Sequence, residues 1–180
     1  MRRLDPTLLL CCILLSTACA EDGNRMPELA QTVLEKAETF ILYSLDPAAS
    51  RGEEKPKDAF HGYAVLGQTE VKDADARAKL VEAFKKGVKE NQGEVAMCFE
   101  PRHGIRVKKG ETTVDFVICF ECLQVHCYGG GKLPAGEGRP ERADAGGEER
   151  AGFLVAASPQ PAFDAALKAA GIKLAAKPGE

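Results

Sequence analysis

Apolar side chains recur at helical spacing in three stretches of the chain. The first follows Pro27, the second follows Asp73 and the third follows Ser158. Their apolar positions are Leu29, Val33, Leu34 and Ala37 in the first, Leu80, Val81, Phe84 and Val88 in the second, and Phe163, Ala166, Leu167 and Ala170 in the third. Steps of three and four residues bring side chains onto one face of a helix. The pattern predicts three amphipathic helices, with Asp73 and Ser158 as N-caps and Gly171 ending the last helix.

Between these helices, shorter apolar runs predict strands. They lie at residues 40–45, 60–71 and 153–157, and a hairpin of two more strands lies between residues 98 and 128. The resulting order is α-β-β-α-β-β-β-α, and its short connections favour a mainly antiparallel sheet. The sequence therefore predicts an α+β fold, a two-layer sandwich of three helices on a sheet of about five strands.

The chain begins with the pattern of a signal segment over residues 1–20. A basic start precedes an apolar run that is too short to cross a bilayer. Two endings stay open: cleavage after Ala20, or lipidation of Cys19 in a lipobox-like sequence. Residues 21–180 are predicted to form one domain with a flexible glycine-rich insertion at 129–150. We expect an exported protein, either periplasmic or held on the outer side of a membrane by a lipid.

Charge argues against one class of partner. The formal net charge is −3 at neutral pH, and every cluster of lysine and arginine has acidic residues nearby. Phosphate binding needs a concentrated positive field. We therefore expect no nucleic-acid partner, and a membrane contact only through a lipid at Cys19.

Candidate chemistry is concentrated between Cys98 and Tyr128. This stretch holds all four cysteines that follow the signal segment and two of the three histidines. A turn at Lys109-Gly110 predicts a hairpin. In that hairpin Val107 faces Thr112, Ile105 faces Val114 and His103 faces Phe116.

The second arm of this hairpin changes its apolar phase after Phe120. The apolar residues are Phe116, Ile118 and Phe120 before the change, and Leu123, Val125 and Cys127 after it. Because side chains alternate along a strand, a one-residue bulge at Glu121-Cys122 is predicted to restore the phase. The bulge would place Cys119 and Cys122 on one face, with Cys98 opposite Glu121. It would also turn Cys127 towards the core as a free thiol.

Four interpretations of these sulfur atoms stay open. The cysteines are packed thiols, or Cys98 forms a structural disulfide with Cys119 or Cys122. Alternatively, Cys98, Cys119 and Cys122 bind zinc together with His126, although a single CxxC lacks the second pair typical of zinc ribbons. A redox dithiol is the third interpretation, and a ligand-binding face without thiol chemistry is the fourth.

Arg102 and His103 are a second candidate pair. An arginine beside a histidine suggests anion binding next to a general base. His61, by contrast, is predicted to lie on the surface at the start of a strand. The sequence contains no phosphate-binding loop, dinucleotide fingerprint or nucleophile elbow. The absence of these motifs favours a protein that is not an enzyme.

The motifs CFEPRHGIRV and TVDFVICFECLQV, with SLDP upstream and SPQPAFDAAL downstream, carry a resemblance. The chain resembles uncharacterised exported, lipoprotein-like proteins of planctomycete-type bacteria. The resemblance spans most of residues 27–174 and implies export and a single domain, but no catalytic residue. The sequence thus predicts a binding or envelope accessory module, with a thiolate metal-binding or redox protein as the alternative.

Overall fold

One antiparallel sheet of seven strands runs through the part of the chain that the structure describes. The structure is a computed structural model, and it describes residues 26–49, 57–130 and 150–176. The strands are β1 Thr39–Asp46, β2 Ala59–Phe60, β3 Tyr63–Glu70, β4 His103–Lys109, β5 Thr112–Cys119, β6 Gln124–Tyr128 and β7 Arg150–Leu154. Their order in the sheet is β2-β3-β1-β4-β5-β6-β7. The signal segment, Cys19 and most of the glycine-rich insertion lie outside the described residues.

In the described ranges three helices accompany the sheet: α1 Glu28–Glu35, α2 Ala74–Glu90 and α3 Gln160–Ala169. The α+β class, the three helices and the antiparallel pairing confirm the prediction. The predicted two-layer sandwich with about five strands is wrong in detail, because seven strands form among the described residues and their sheet curls into a half-barrel. The predicted second strand is interrupted by a turn at His61-Gly62, and the second arm of the predicted hairpin divides into β5 and β6.

Local chemistry explains the helix ends. Asp73 accepts a hydrogen bond from the Ala76 N–H at 2.7 Å, as expected for an N-cap. Ser158 is not the cap of α3, because its hydroxyl donates to Glu90 and Pro159 takes the N-cap position. At the other end of α3, the Ile172 N–H donates to the Leu167 carbonyl, which closes the predicted glycine C-cap. No helix in the described ranges is long and apolar enough to cross a membrane.

The main core lies on the sheet face that the helices cover. Four phenylalanine rings pack there at centroid distances of 5.5–6.4 Å: Phe84, Phe116, Phe153 and Phe163. All four are nearly inaccessible to solvent. A second, smaller cluster occupies the opposite face of the sheet. Its buried members are Tyr43, Leu45, Phe60, Val117 and Tyr128.

The β4–β5 hairpin forms in a register two residues away from the predicted one. His103 faces Ile118, Ile105 faces Phe116 and Val107 faces Val114. The loop consists of Gly110 and Glu111, with Gly110 at φ +55°, a conformation that favours glycine. A shift of two residues leaves every side chain on its predicted face.

The predicted bulge at Glu121-Cys122 is wrong. β5 ends at Cys119, a four-residue turn follows, and β6 returns with Gln124 opposite Cys119. Leu123 completes the turn at φ +59°. The phase change in the sequence therefore marks a reversal of the chain. Cys98 also lies before β4 rather than in it, so it does not pair with Glu121 on a strand.

Candidate functional site

The β5–β6 turn carries a CxxC sequence whose two cysteines form a disulfide. Cys119 is the last residue of β5, and Cys122 lies in the turn with its Cα 5.1 Å from that of Cys119. Each residue is only 1% exposed. Cys119 and Cys122 therefore come together as predicted, but through a turn and not through a bulge.

A third sulfur lies beside this disulfide. The Cys98 thiol is exposed, and its Sγ contacts the Cys122 Sγ at 3.4 Å. The predicted disulfide between Cys98 and either turn cysteine is absent from the structure, because the turn cysteines pair with each other and Cys98 stays free. Three sulfur atoms thus meet at one end of the hairpin, one reachable from solvent and two buried.

Hydrogen bonds hold the segment of Cys98 against the turn. The Ala96 N–H donates to the Cys122 carbonyl at 3.1 Å. The side-chain amide of Gln124 donates to the carbonyls of Ala96 at 2.7 Å and Cys98 at 3.0 Å. Gln124 is 5% exposed, so these bonds are shielded from water. Gln124, the first residue of β6, therefore positions the Cys98 thiol.

Backbone amides point at both sulfur atoms of the disulfide. The Glu100 N–H donates to the Cys122 Sγ at 3.2 Å, and the Cys122 N–H donates to the Cys119 Sγ at 3.0 Å. A hydrogen bond to a sulfur atom stabilises the thiolate that forms when the disulfide opens. The fold thus provides a donor for each thiolate that reduction would create.

Arg102 lies next to this turn. Its guanidinium donates to Glu121 at 2.6 Å and to the Ala176 carbonyl at 3.1 Å. Arg102 is 8% exposed, and the ion pair fixes the outer side of the turn. Its charge is therefore matched by a carboxylate of the turn itself.

His103 belongs to a different environment from Arg102. It lies on the helix-covered face, where Nε2 is 2.8 Å from Asp164 of α3 and the ring meets the edges of Phe120 and Phe163. Successive residues of extended chain point to opposite sides. The structure therefore does not bring Arg102 and His103 into one site.

His126 does not join the sulfur atoms in a metal-binding group. Its ring stacks on Phe99 at 3.7 Å between centroids, and Nδ1 accepts a hydrogen bond from Arg150 at 2.8 Å. Within residues 26–49, 57–130 and 150–176, no group of three or more histidine, cysteine, aspartate or glutamate side chains could hold a metal ion. Of the zinc ligands predicted from the sequence, Cys98, Cys119 and Cys122 lie together and His126 has other partners. Cys119 and Cys122 are joined as a disulfide.

Cys127 is the other free cysteine among the described residues. It is buried in the main core, as the sequence predicts, and burial raises the pKa of its thiol to about 12. A thiol that stays protonated is a poor nucleophile. Cys127 therefore acts as a small apolar side chain.

A buried charged group on the opposite sheet face escaped sequence reasoning. His61 lies 2.7 Å from Asp115, and Arg106 holds both oxygens of that carboxylate at 2.8 and 2.6 Å. Burial works to raise the pKa of Asp115, but the hydrogen bonds from Arg106 and His61 outweigh it and lower that pKa. His61 has φ +48° and its side chain is only 8% exposed, so the surface prediction for it is wrong. The His-Gly turn dipeptide was the available signal.

Comparisons with protein-family models, with curated proteins and with solved structures give no match to this chain. The resemblance to planctomycete-type exported proteins stays a prediction. The arrangement of sulfur atoms is therefore the chemical feature from which a function can be argued.

Proposed function

We propose that this protein carries out thiol–disulfide exchange, with Cys98 as the exposed nucleophile and Cys119–Cys122 as the buried disulfide. The observation that carries the proposal is the 3.4 Å contact between the Cys98 and Cys122 sulfur atoms. Exchange proceeds by attack of a thiolate on a disulfide sulfur, so a thiol held against a disulfide is placed for that step.

The reaction divides into three exchanges. The Cys98 thiolate attacks the Cys122 Sγ, a Cys98–Cys122 bond forms, and Cys119 leaves as a thiolate. A partner thiolate then attacks the Cys98 sulfur and releases Cys122. A second partner thiolate attacks the partner sulfur, which yields a partner disulfide and regenerates the Cys98 thiolate. Two electrons pass to Cys119 and Cys122, and the same steps run backwards when a disulfide-bearing partner is the oxidant.

Cys98 is proposed as the nucleophile because the disulfide behind it is buried. The two disulfide sulfurs belong to residues that are 1% exposed, whereas Cys98 is exposed. A partner thiol therefore reaches the disulfide through Cys98. The amide hydrogen bonds to Cys119 and Cys122 support this order of steps, because a stabilised thiolate is a better leaving group.

The predicted export of the protein is consistent with this proposal, because disulfides persist outside the cytosol. Export itself stays a prediction. A lipid anchor at Cys19 also stays a prediction, since Cys19 lies outside the described residues.

The zinc alternative requires the reduced protein, in which all three thiols are available. Metal analysis after anaerobic reduction tests it directly.

The test uses the oxidised protein and an excess of cysteamine, a small thiol, with acid quenching and mass mapping of each cysteine. We expect a mixed disulfide on Cys98 and loss of the Cys119–Cys122 bond. Cys98→Ser should slow that loss by roughly a hundredfold, since only slow opening of the turn would then expose the disulfide.

Cys127→Ala is the matched control, because it removes a buried free thiol on the other face of the sheet and should leave the exchange rate unchanged. Thermal unfolding checks that Cys98→Ser remains folded. Reduction at the wild-type rate in folded Cys98→Ser would overturn the proposal.

A further inference from the structure

Two exposed apolar side chains lie close to Cys98 in the sequence. Among the described residues, the exposed large hydrophobic side chains are Leu29 at 45%, Val95 at 38% and Met97 at 92%. Val95 and Met97 lie within three residues of the exposed thiol, whereas Leu29 lies on α1. Single exposed apolar residues need no explanation, but two beside a nucleophile make a contact surface for whatever reaches that nucleophile.

This apolar strip is fixed in place relative to the thiol. The bonds from Gln124 to the carbonyls of Ala96 and Cys98 flank Met97 on both sides. The Ala96 amide is also bonded to the Cys122 carbonyl. Because the segment is already ordered, a partner that lies on it loses little affinity to ordering. A methionine side chain adapts to apolar groups of different shape.

Acidic residues border the strip. Glu94 and Glu100 stand on either side of Val95–Phe99, and residues 90–101 contain no lysine or arginine. The nearest arginine in sequence, Arg102, is paired with Glu121 of the turn. Glu94 is an exposed carboxylate of this segment, so a cationic side chain beside the partner cysteine is favoured over an anionic one.

We propose, on the basis of the exchange function above, that the partner is an incompletely folded polypeptide whose cysteine is flanked by apolar residues and a lysine or arginine. The partner sulfur must reach Cys98, so its neighbouring side chains lie over Val95 and Met97 and beside Glu94. Apolar residues next to a cysteine are commonly buried once a protein has folded. The surface thus selects chains that have not yet buried them, and it discriminates against small anionic thiols such as glutathione.

The test compares three peptides of equal length that contain a single cysteine. One has leucine neighbours and a lysine, one has serine neighbours and a lysine, and one has leucine neighbours and a glutamate. Rates of Cys119–Cys122 reduction are measured by quenching and mass mapping, with cysteamine as the small-thiol reference. We expect the first peptide to react roughly tenfold faster than the second, as partial burial of apolar side chains implies, and roughly threefold faster than the third at low salt.

Met97→Ser should reduce the preference for leucine neighbours to roughly twofold, and Glu94→Gln should weaken the preference for lysine. Leu29→Ser is the matched control, since it removes the third exposed apolar side chain at a distance from the thiol. Equal rates for all three peptides, or an unchanged leucine preference in Met97→Ser, would overturn this inference. If Cys98-dependent exchange with cysteamine persists in that case, the exchange function stands without it. If cysteamine exchange does not depend on Cys98, the exchange function itself fails.

Discussion

Cys127 and Cys119 lie in paired strands of one hairpin but on opposite faces of the sheet. Cys127 faces the helices, among side chains such as Val114 and Phe116, with 2% of its surface exposed. Its environment is apolar and favours the protonated thiol, which is why its pKa rises to about 12. Although a free cysteine occupies this face, the packing leaves it without reactivity.

Cys119 is equally buried, but its environment differs in kind. A backbone amide donates to its sulfur, and a disulfide joins it to Cys122, whose sulfur touches an exposed thiol. The difference teaches that burial alone does not decide whether a cysteine reacts. Cys127 also has a backbone hydrogen bond to its sulfur, from Gly130, so the feature that distinguishes Cys119 is the neighbouring sulfur atoms provided by the turn and by the segment before β4.

The largest expected effect is a difference in labelling between Cys98 and Cys127, the free cysteines of the described residues. With a pKa of about 12, Cys127 has only ~10⁻⁴ of its thiol ionised at pH 8, and it is 2% exposed, whereas Cys98 is open to solvent. We expect iodoacetamide to modify Cys98 at least about a thousandfold faster than Cys127 in the native protein. Peptide mass mapping over time measures both rates. Equal labelling of the two residues would remove the contrast between the faces.

A second prediction concerns the charged group on the face opposite the helices. Asp115 has a lowered pKa in the folded protein, so its ionised form stabilises the fold. This contribution is complete above the unfolded pKa of about 3.9, and it is lost as the pH falls through the folded pKa. Asp115→Asn should therefore lower the free energy of unfolding by about 3 kcal/mol at pH 7, less than a fully buried pair would lose, because Arg106 is 37% exposed.

Urea unfolding at pH 7 and below pH 3 checks this prediction. The difference between wild type and Asp115→Asn should shrink in acid, because the stabilisation by the carboxylate is lost progressively as the pH falls from the unfolded pKa towards the lowered folded pKa. Glu111→Gln, at an exposed turn position, is the matched control and should have little effect at either pH. A deficit that stays constant with pH would assign the loss to packing rather than to charge.

Much of this contrast could be predicted from the sequence. The alternation of apolar and polar side chains along the strands predicts that Phe116, Ile118 and Cys127 face the core. This prediction is confirmed, although the hairpin register differs by two residues. A shift of two preserves faces, so the error was invisible to the apolar pattern. The phase change after Phe120 is also visible in the sequence, but a bulge and a tight reversal produce the same pattern. The antiparallel pairing of Cys119 with Gln124 and the backbone of Leu123, at φ +59°, distinguish them.

The contacts between sulfur atoms depend on a segment without periodicity. Residues 91–102 form neither helix nor strand, and their position is set by side chains far along the chain. Asn91 donates to the carbonyl of Val155, and Gln124 donates to that of Cys98. Such long-range hydrogen bonds leave no local signal in a sequence. His61 was misjudged for the same reason, because its partner Asp115 is 54 residues away.

A third prediction concerns the stability that the disulfide adds. The bond closes a loop of only four residues, from Cys119 to Cys122. Loop-closure entropy for such a length amounts to about 2 kcal/mol. The double substitution Cys119→Ala with Cys122→Ala should lower the free energy of unfolding by about that amount, and reduction of the wild type should have a similar effect. Urea titration with and without reductant measures both, and a loss several-fold larger would show that the turn depends on the bond to fold.

The smallest expected effect concerns Cys127. Cys127→Ala removes one buried sulfur from the main core, where Gly130 packs against it closely. We expect a loss of about 1 kcal/mol in the free energy of unfolding, because the cavity is small and apolar. The exchange rate with cysteamine should not change, since Cys127 faces away from the disulfide. A fall in that rate at unchanged stability would mean that the two faces are coupled. The separation between the packing face and the sulfur-bearing turn would then have to be abandoned.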